Sequence, residues 1–441
     1  MTLIDRACGA GGVAATPHQP PASLSPDADE LRLSLVSEAD ITLEGTRLHL
    51  FRKELAHLRK LRHVDPHVVL DRRRGQTWGR VLLSSPSMTF TSRAQVDHNR
   101  DAQADRYPRE LAVPQANLVR YEHVECWPRQ IARLGGAALP ETFRHFTGGH
   151  LHNVFLHWAS REYGRRPAQR ATRVLAGDYF FLASEYPHHF GHVMTEMLPR
   201  LWGWWHLKAE RPGLKALVGV ERPGAVLRPF VRTLLCAAGI QDADVVPVGA
   251  ATLVEHLYAA TPQFANPLFA HPDLVRTWER VSAGLRAMAG DNRVQPRGDR
   301  IFVARPEDLK RTCHNAREVE GVFVDRGFTL VRPETLPIEQ QAAMFWNADV
   351  VAGFAGSAMC NAVLGRPGTK VLLSSTSYTA ANEYLNSAVL GDDLHIVWGT
   401  PDVDHPPGRW SPEAVNSAFA VDMVDGPGVR GLSTVLDQAV G

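Results

Sequence analysis

The sequence predicts an α/β protein made of two Rossmann-like halves, joined by a short linker and facing one another across a cleft. Three observations carry this expectation. From about residue 175 onward, short apolar runs alternate with amphipathic stretches, the pattern of parallel strands covered by helices. The tetrapeptide Gln295-Pro296-Arg297-Gly298 interrupts that alternation, and a second one starts directly after it. A length of 441 residues accommodates roughly two or three domains at about 150 residues each.

Residues 1–35 are rich in Ala, Gly, Pro and Ser and read as an arm that cannot bury a core. Residues 36–290 are assigned to the first domain with an amino-terminal extension. In that extension, 51–62 reads as a basic helix, 80–83 as a strand and 93–109 as a polar, exposed loop. DYFFLA at 178–183 is a compact apolar run, as a buried strand is. Phe190, Val193, Met194, Met197, Leu198, Leu201, Trp204 and Trp205 then step by three and four, giving a helix with one apolar face. Pro199 should kink it, because proline lacks the backbone donor. Strands are expected at 216–220, 244–248 and 255–260, and helices at 226–238, ending at Gly239, and at 272–288.

The second domain is assigned to 295–400. It opens with a strand at 300–304. A helix begins at Asn315, where Asn315-x-x-Glu318 has the layout of a capping motif, and stops at Gly327. A strand at 328–332, a helix at 337–346 with Pro337 in its first turn, a strand at 349–353, a short helix at 357–364 and a strand at 370–374 complete the half.

Composition excludes several classes. Lys and Arg number 48 against 47 Asp and Glu, a net charge of +1. A general nucleic-acid binder would carry a basic excess; one local anion site needs none. No apolar run approaches the roughly 18 residues of a membrane span. The opening MTLIDRACGAGG lacks the basic-then-apolar layout of a signal peptide. Cys8, Cys126, Cys236, Cys313 and Cys360 are odd in number and form no CxxC pair, which argues against a disulfide framework or zinc knot and for a reducing compartment. The expectation is a cytoplasmic protein without a membrane span, and peripheral attachment to the inner face of a membrane is compatible with it.

Three constellations bear on chemistry. Gly356, Ser357 and Asn361 fall at a strand-to-helix junction, where ligands of open α/β sheets bind and free N–H groups favour anions; a tight turn alone would also account for them. Arg305 directly follows a strand, with Arg311 six residues on and Asn315 at the next helix start, a set suited to a diphosphate; an Arg-rich surface is the alternative. His192, Glu196 and Arg200 are spaced four apart on one helical stripe. Glu196 could serve as a general base with His192 orienting it, or Glu196 and Arg200 could form a surface pair worth about 0.2–0.5 kcal/mol. The dense group His188, His189, His192 and Glu196 also raises a zinc site, although there is no HExxH and no outlying ligand set.

Together these stretches resemble glycosyltransferase family 61 (the DUF563 family). FLASEYPHHFGHVMTEMLPRLWGW resembles its "GH…(D/E)..PR" block. RIFVARP, the segment from Arg311 to Val319, GFTLVRPETLPIEQQAAMFWNA and DVVAGFAGSAMCN resemble its second block. The resemblance runs over about 175–375. It implies a GT-B fold, with the carboxy-terminal segment 401–441, including a helix at 432–440, returning to the first domain. It implies inverting transfer from a nucleotide-sugar, usually UDP-linked, to a hydroxyl of a glycan or glycoconjugate, with no cofactor and no metal required, as in bacterial polysaccharide biosynthesis. Glu196 falls on the proposed base and His192 on the motif's His. Arg305 and Arg311 fall on the residues expected near the diphosphate, and Glu339, Gln340, Gly356, Ser357 and Asn361 on the donor-side blocks. Many members carry His where this chain has Ala355. That departure motivates a second reading, a non-catalytic nucleotide- or glycan-binding member of an assembly complex; a zinc hydrolase is the third.

Overall fold

The structure, a computed structural model, describes residues 39–41, 79–134, 137–142, 171, 173–290, 299–306, 310–408 and 410–440. The expected arm at 1–35, the helix at 51–62 and the linker at 295–298 lie outside the described residues. The fold is α/β with parallel strands, and the chain divides into two compact units interleaved along the sequence. One takes its described residues from Met1–Met88, Pro114–His188 and Arg200–Pro262, the other from Thr89–Val113, His189–Pro199 and Gln263–Gly441. The segment carrying His192 and Glu196 therefore groups with the second unit, whereas the linear reading placed it in the first.

The first unit is built on a mixed sheet. Strands β1 (Gly79–Ser85), β2 (Ala116–Trp127), β3 (Arg173–Leu182), β4 (Lys215–Gly219), β5 (Val245–Val248) and β6 (Thr252–Ala260) lie in the order β1-β2-β6-β3-β4-β5. β6, β3, β4 and β5 run parallel, as the alternation predicts. β2 pairs antiparallel with β6 and with β1, an arrangement that the apolar alternation did not reveal. Helix α1 (Leu201–Glu210) packs on this sheet through Gly203. A Cβ there would stand 2.7 Å from the Ala260 Cβ and 3.1 Å from the Leu118 and Phe180 side chains. Helix α2 (Pro229–Ala237) begins with Pro229 and is followed by Gly239 at φ +84°, as its sequence predicts.

The second unit is a parallel sheet of β7 (Arg300–Val303), β8 (Thr329–Val331), β9 (Val350–Phe354), β10 (Thr369–Ser375) and β11 (Asp393–Pro401), in the order β8-β7-β9-β10-β11. All neighbouring pairs among these five are parallel. The winding reverses between β7 and β9. Helices α3 (Leu274–Ala289), α4 (Ala316–Asp325), α5 (Ile338–Asn347), α6 (Asn382–Leu390) and α7 (Leu432–Val440) belong to this unit. Leu432, Val435 and Leu436 of α7 share a core with Phe302, Phe323, Val371 and Val397, and Arg300 Nη2 donates to the Val440 carbonyl at 2.9 Å. The carboxy-terminal helix, expected to return to the first domain, thus packs in the core of its own unit.

Two further expectations change. Residues 93–109 are an exposed loop only in part: Gln95–His98 forms a strand parallel to β11, while most of 101–109 is exposed and outside strands. The buried Asn99 accepts from the Trp398 N–H at 2.7 Å and donates to the Arg430 carbonyl at 3.1 Å. The stretch reads as polar because its partners are polar. The helix expected through 190–205 is broken into an α turn Phe190–His192, a π turn Val193–Met197, a 3₁₀ turn Leu198–Arg200 and then α1, with Pro199 inside the tight turn. Cys126, Cys313 and Cys360 are free and buried. Cys236 is disulfide-bonded, a departure from the thiol state that the sequence suggested.

Two predictions follow from this packing. Gly203→Ala is expected to lower the stability of the first unit by about 1–3 kcal/mol through overpacking, outweighing the roughly 1 kcal/mol that alanine gains over glycine in a helix. Urea unfolding measures it; an unchanged midpoint would mean that α1 can move off Ala260. The second concerns pH. Hydrogen bonding to His395, opposed by burial and assisted by Arg430, brings the Asp97 carboxyl down to about 2 from 3.8. Burial pulls the His395 imidazole down, but hydrogen bonds and charges from Asp97 and Asp393 outweigh it and hold the pKa above 6.5. A raised imidazole stabilises fully below 6.5 and loses its contribution as pH rises through the raised value. A depressed carboxylate stabilises above 3.8 and loses its contribution as pH falls through about 2. The thermal midpoint should therefore decline on both sides of this window, and His395→Gln should flatten the alkaline side; an unchanged alkaline slope in that variant would refute the assignment.

Candidate active site

Parallel strands deliver their carboxyl ends to one edge of a sheet, so the loops leaving that edge in the second unit meet. Where the winding order reverses, neighbouring loops run apart and leave a crevice in which ligands of open α/β sheets bind. Here the reversal lies between β7 and β9. Arg305 follows β7, and Gly356 and Ser357 follow β9.

The side chains at that crevice are arranged around Gly356. Arg305 donates through Nη1 to the Ala355 carbonyl at 3.0 Å and through Nη2 to the Lys310 carbonyl at 2.6 Å. Arg311 holds a left-handed backbone, φ +61°, with its N–H on the Asn416 carbonyl at 3.2 Å. Its guanidinium lies 4.7 Å above the ring centre of the buried Tyr378, in the loop after β10. Gly356 has φ +149°, and a Cβ there would sit 2.9 Å from Arg305 Nη1 and 3.4 Å from Arg311 Nη2. The space that a side chain would take is thus bordered by two guanidiniums. Nε of Arg305 and Nε of Arg311 are both buried without a hydrogen-bond partner. Burial, and after it the charge of Arg311, pull Arg305 down to about 10. A second cation that weakens the ionisation of Arg305 suits an anion beside the pair, which would reverse that effect.

The turn Phe190–Met197 lies against the same crevice. A Cβ on Gly191 would stand 3.1 Å from Ser357 Oγ and 3.5 Å from His189 Cε1, so the backbone of this turn comes close to the Gly356–Ser357 turn. His192 Nδ1 and Glu196 Oε1 are 2.5 Å apart. Glu196 is only 8% exposed and Arg200 only 1%, which overturns the reading of these two as a solvated surface pair. Thr195 Oγ1 donates back to the Gly191 carbonyl at 2.8 Å. A carboxylate paired with an imidazole, on the turn that meets the Gly356–Ser357 turn with its two arginines, can take a proton from a hydroxyl while the arginines receive negative charge.

The remaining expected residues are placed differently. Asn315 stands at the start of α4, but its side chain does not cap that helix. It binds both backbone groups of Val421, at 2.9 and 3.0 Å. Asn361 is buried, donates to the Ala358 carbonyl at 3.1 Å, and leaves Oδ1 without a partner. Glu339 and Gln340 occupy the first turn of α5, on the same carboxyl edge after β8, and no hydrogen bond joins them to Arg305, Arg311 or Gly356. Sequence reasoning missed Tyr378 and Glu383. Glu383 Oε1 accepts the Gly356 N–H at 2.8 Å. The signal available was a carboxylate in the first turn of a helix directly after a strand of the second half.

Among the described residues, no group of three or more His, Cys, Asp or Glu side chains is placed to hold a metal ion. His188 instead pairs with Glu221 at 3.2 Å, and the His189 ring meets His192 edge-on with centroids 4.9 Å apart. No helix among the described residues is long and apolar enough to cross a membrane. No curated protein matches the chain significantly. Residues 190–372 match the family model described as Glycosyltransferase 61, a segment that starts at the His192–Glu196 turn and includes Arg305, Arg311, Gly356 and Ser357. Over that segment the chain is similar to glycosyltransferase family 61, which supports a transferase acting between a glycosyl donor and an acceptor.

Proposed function

We propose that the chain is an inverting glycosyltransferase that moves a sugar from a UDP-linked donor to a hydroxyl of a glycan or glycoconjugate. The observation that carries this reading is the seating of the Gly191 turn on Ser357, because it brings the His192–Glu196 pair and the Arg305–Arg311 pair to one edge of one sheet. In this reading the acceptor oxygen attacks the anomeric carbon from the face opposite the diphosphate. Its proton passes to Glu196, with His192 holding the carboxylate in position. The bond from the anomeric carbon to the β-phosphate oxygen breaks, and the electron pair stays on that oxygen, where the guanidiniums neutralise it. Arginines in these positions make a metal unnecessary for departure of the leaving group. Two units, one with a mixed sheet containing four parallel strands and one with five parallel strands, are compatible with a GT-B enzyme, and we assign the chain to that class. Polysaccharide or glycoconjugate assembly at the cytoplasmic face of a bacterial membrane is the setting that fits this chemistry.

Calorimetric titration with UDP, with and without chelator, followed by transfer assays, tests the proposal. Arg305→Ala should weaken UDP binding by about tenfold or more, the worth of a charged hydrogen bond. Glu196→Gln should leave UDP affinity intact and slow transfer by about 10²–10⁴-fold. Loss of UDP binding in chelator would overturn the arginine-based mechanism, and full activity of Glu196→Gln would overturn the base.

A further inference from the structure

We infer that Glu383 is a positioning residue of the nucleotide site, acting on Arg305 through the peptide bond between Ala355 and Gly356. The inference rests on the reading of Arg305 and Arg311 as the diphosphate-binding pair.

Both ends of that one peptide group are held. Its carbonyl, on Ala355, accepts from Arg305 Nη1 at 3.0 Å; its N–H, on Gly356, donates to Glu383 Oε1 at 2.8 Å. A peptide group is planar and its N–H and C=O point in opposite directions, so fixing the N–H fixes where the carbonyl meets the guanidinium. Carboxylate, peptide dipole and guanidinium lie in series, an arrangement in which each hydrogen bond polarises the next. Glycine at φ +149° turns its neighbouring peptide at little cost; the Met359 N–H holds the Gly356 carbonyl at 3.0 Å, and Glu383 holds the N–H of the peptide that meets Arg305.

The carboxylate is itself held firmly. Glu383 is 7% exposed, in the first turn of α6. The next residue, Tyr384, stacks on Tyr107 with ring centroids 4.4 Å apart and planes 3° from parallel, and its hydroxyl donates to the Pro108 carbonyl. Arg106 donates to the carbonyls of Thr376 and Tyr378 at 3.0 and 2.5 Å, which fixes the loop that carries the ring beneath Arg311. Burial raises the Glu383 pKa above the ordinary carboxylate value, outweighing its own backbone N–H, the Gly356 N–H and the charges of Arg311 and Arg305, which all pull it down.

Glu383 then has two effects of opposite sign on an anion at Gly356. It orients Arg305, which favours binding, and to the extent that it is ionised its negative charge subtracts from the field of the arginines, which disfavours it. Substitution separates them. Glu383→Gln keeps an oxygen that accepts the Gly356 N–H and loses the charge; Glu383→Ala loses both.

The experiment is calorimetric titration of UDP into the full chain and its variants at low and moderate ionic strength. Each protein is first checked by circular dichroism and thermal unfolding without nucleotide. E383A should bind about tenfold more weakly than wild type. E383Q should bind at least as tightly as wild type, and severalfold more tightly at low salt. The double variant R305A/E383A should bind no more weakly than R305A, because a residue acting through another is not additive with it. Equal weakening in E383Q and E383A, or additive losses in the double variant, would mean a merely structural role and overturns the inference. Should E383A fail to fold, E383Q decides, and weaker binding than wild type overturns it. If wild type does not bind UDP, or R305A binds as wild type does, the donor-site reading has failed and the inference falls with it.

Discussion

Two guanidiniums converging on one glycine is the constraint from which the rest of the candidate site follows. Burial, and after it the nearby charge of Arg311, lower the Arg305 pKa, because a buried cation and a like-charged neighbour both disfavour ionisation. The fold tolerates the pair because each arginine is tied to the protein elsewhere: Arg305 by the Ala355 and Lys310 carbonyls, Arg311 by the Tyr378 ring and its own backbone N–H. Those ties belong to loops on one edge of a parallel sheet, and the reversal of winding between β7 and β9 keeps the loops apart. Chain topology makes the gap, and the arginines give it a sign.

Close approach is the second requirement, and small residues meet it. At Gly353, at the end of β9, a Cβ would lie 2.8 Å from the Val303 Cβ and 2.9 Å from Met359 Sδ. That contact lets β7 and the turn after β9 approach without a side chain between them. Gly191 does the same between its own turn and Ser357. The π turn Val193–Met197 widens the helical ring next to Gly191, and the local break in regular α-helix accompanies the meeting of His192 with Glu196. Regular structure is interrupted at the proposed base, as expected when a site is set on a scaffold.

Between residues 300 and 375 the strands, helices and charged turns were legible in the sequence because each is a local pattern: the apolar runs around Phe302, Val351 and Leu372, the glycine after α4, the arginine after β7; α6 and β11 were not read. The family resemblance reached the same segment through residue order. What was not legible is non-local. The polar stretch around Asp97 and Asn99 showed no apolar alternation, since its strand pairs through charges and amides with His395, Arg430 and Trp398. Asn315 has the spacing of a helix cap, yet Val421, more than a hundred residues away, takes its side chain. The coupling of Glu383 to Gly356 joins two elements that look complete by themselves.

These non-local partners bear on what the functional piece of the chain is. The family segment 190–372 carries Glu196, Arg305, Arg311 and Gly356, but it stops before Tyr378, Glu383 and β11. Tyr378 lies under Arg311, and Glu383 holds the peptide that meets Arg305. The loop bearing Tyr378 is held by Arg106, whose guanidinium lies 4.5 Å above the Trp398 ring in β11. Residues 95–98 extend the sheet beyond β11. The segment with the recognisable motifs therefore contains the charges without the groups that aim them. Those groups come from the residues before it and after it, so the smallest piece able to hold the arginines in place is the second unit as folded, with its stretch Thr89–Val113 included.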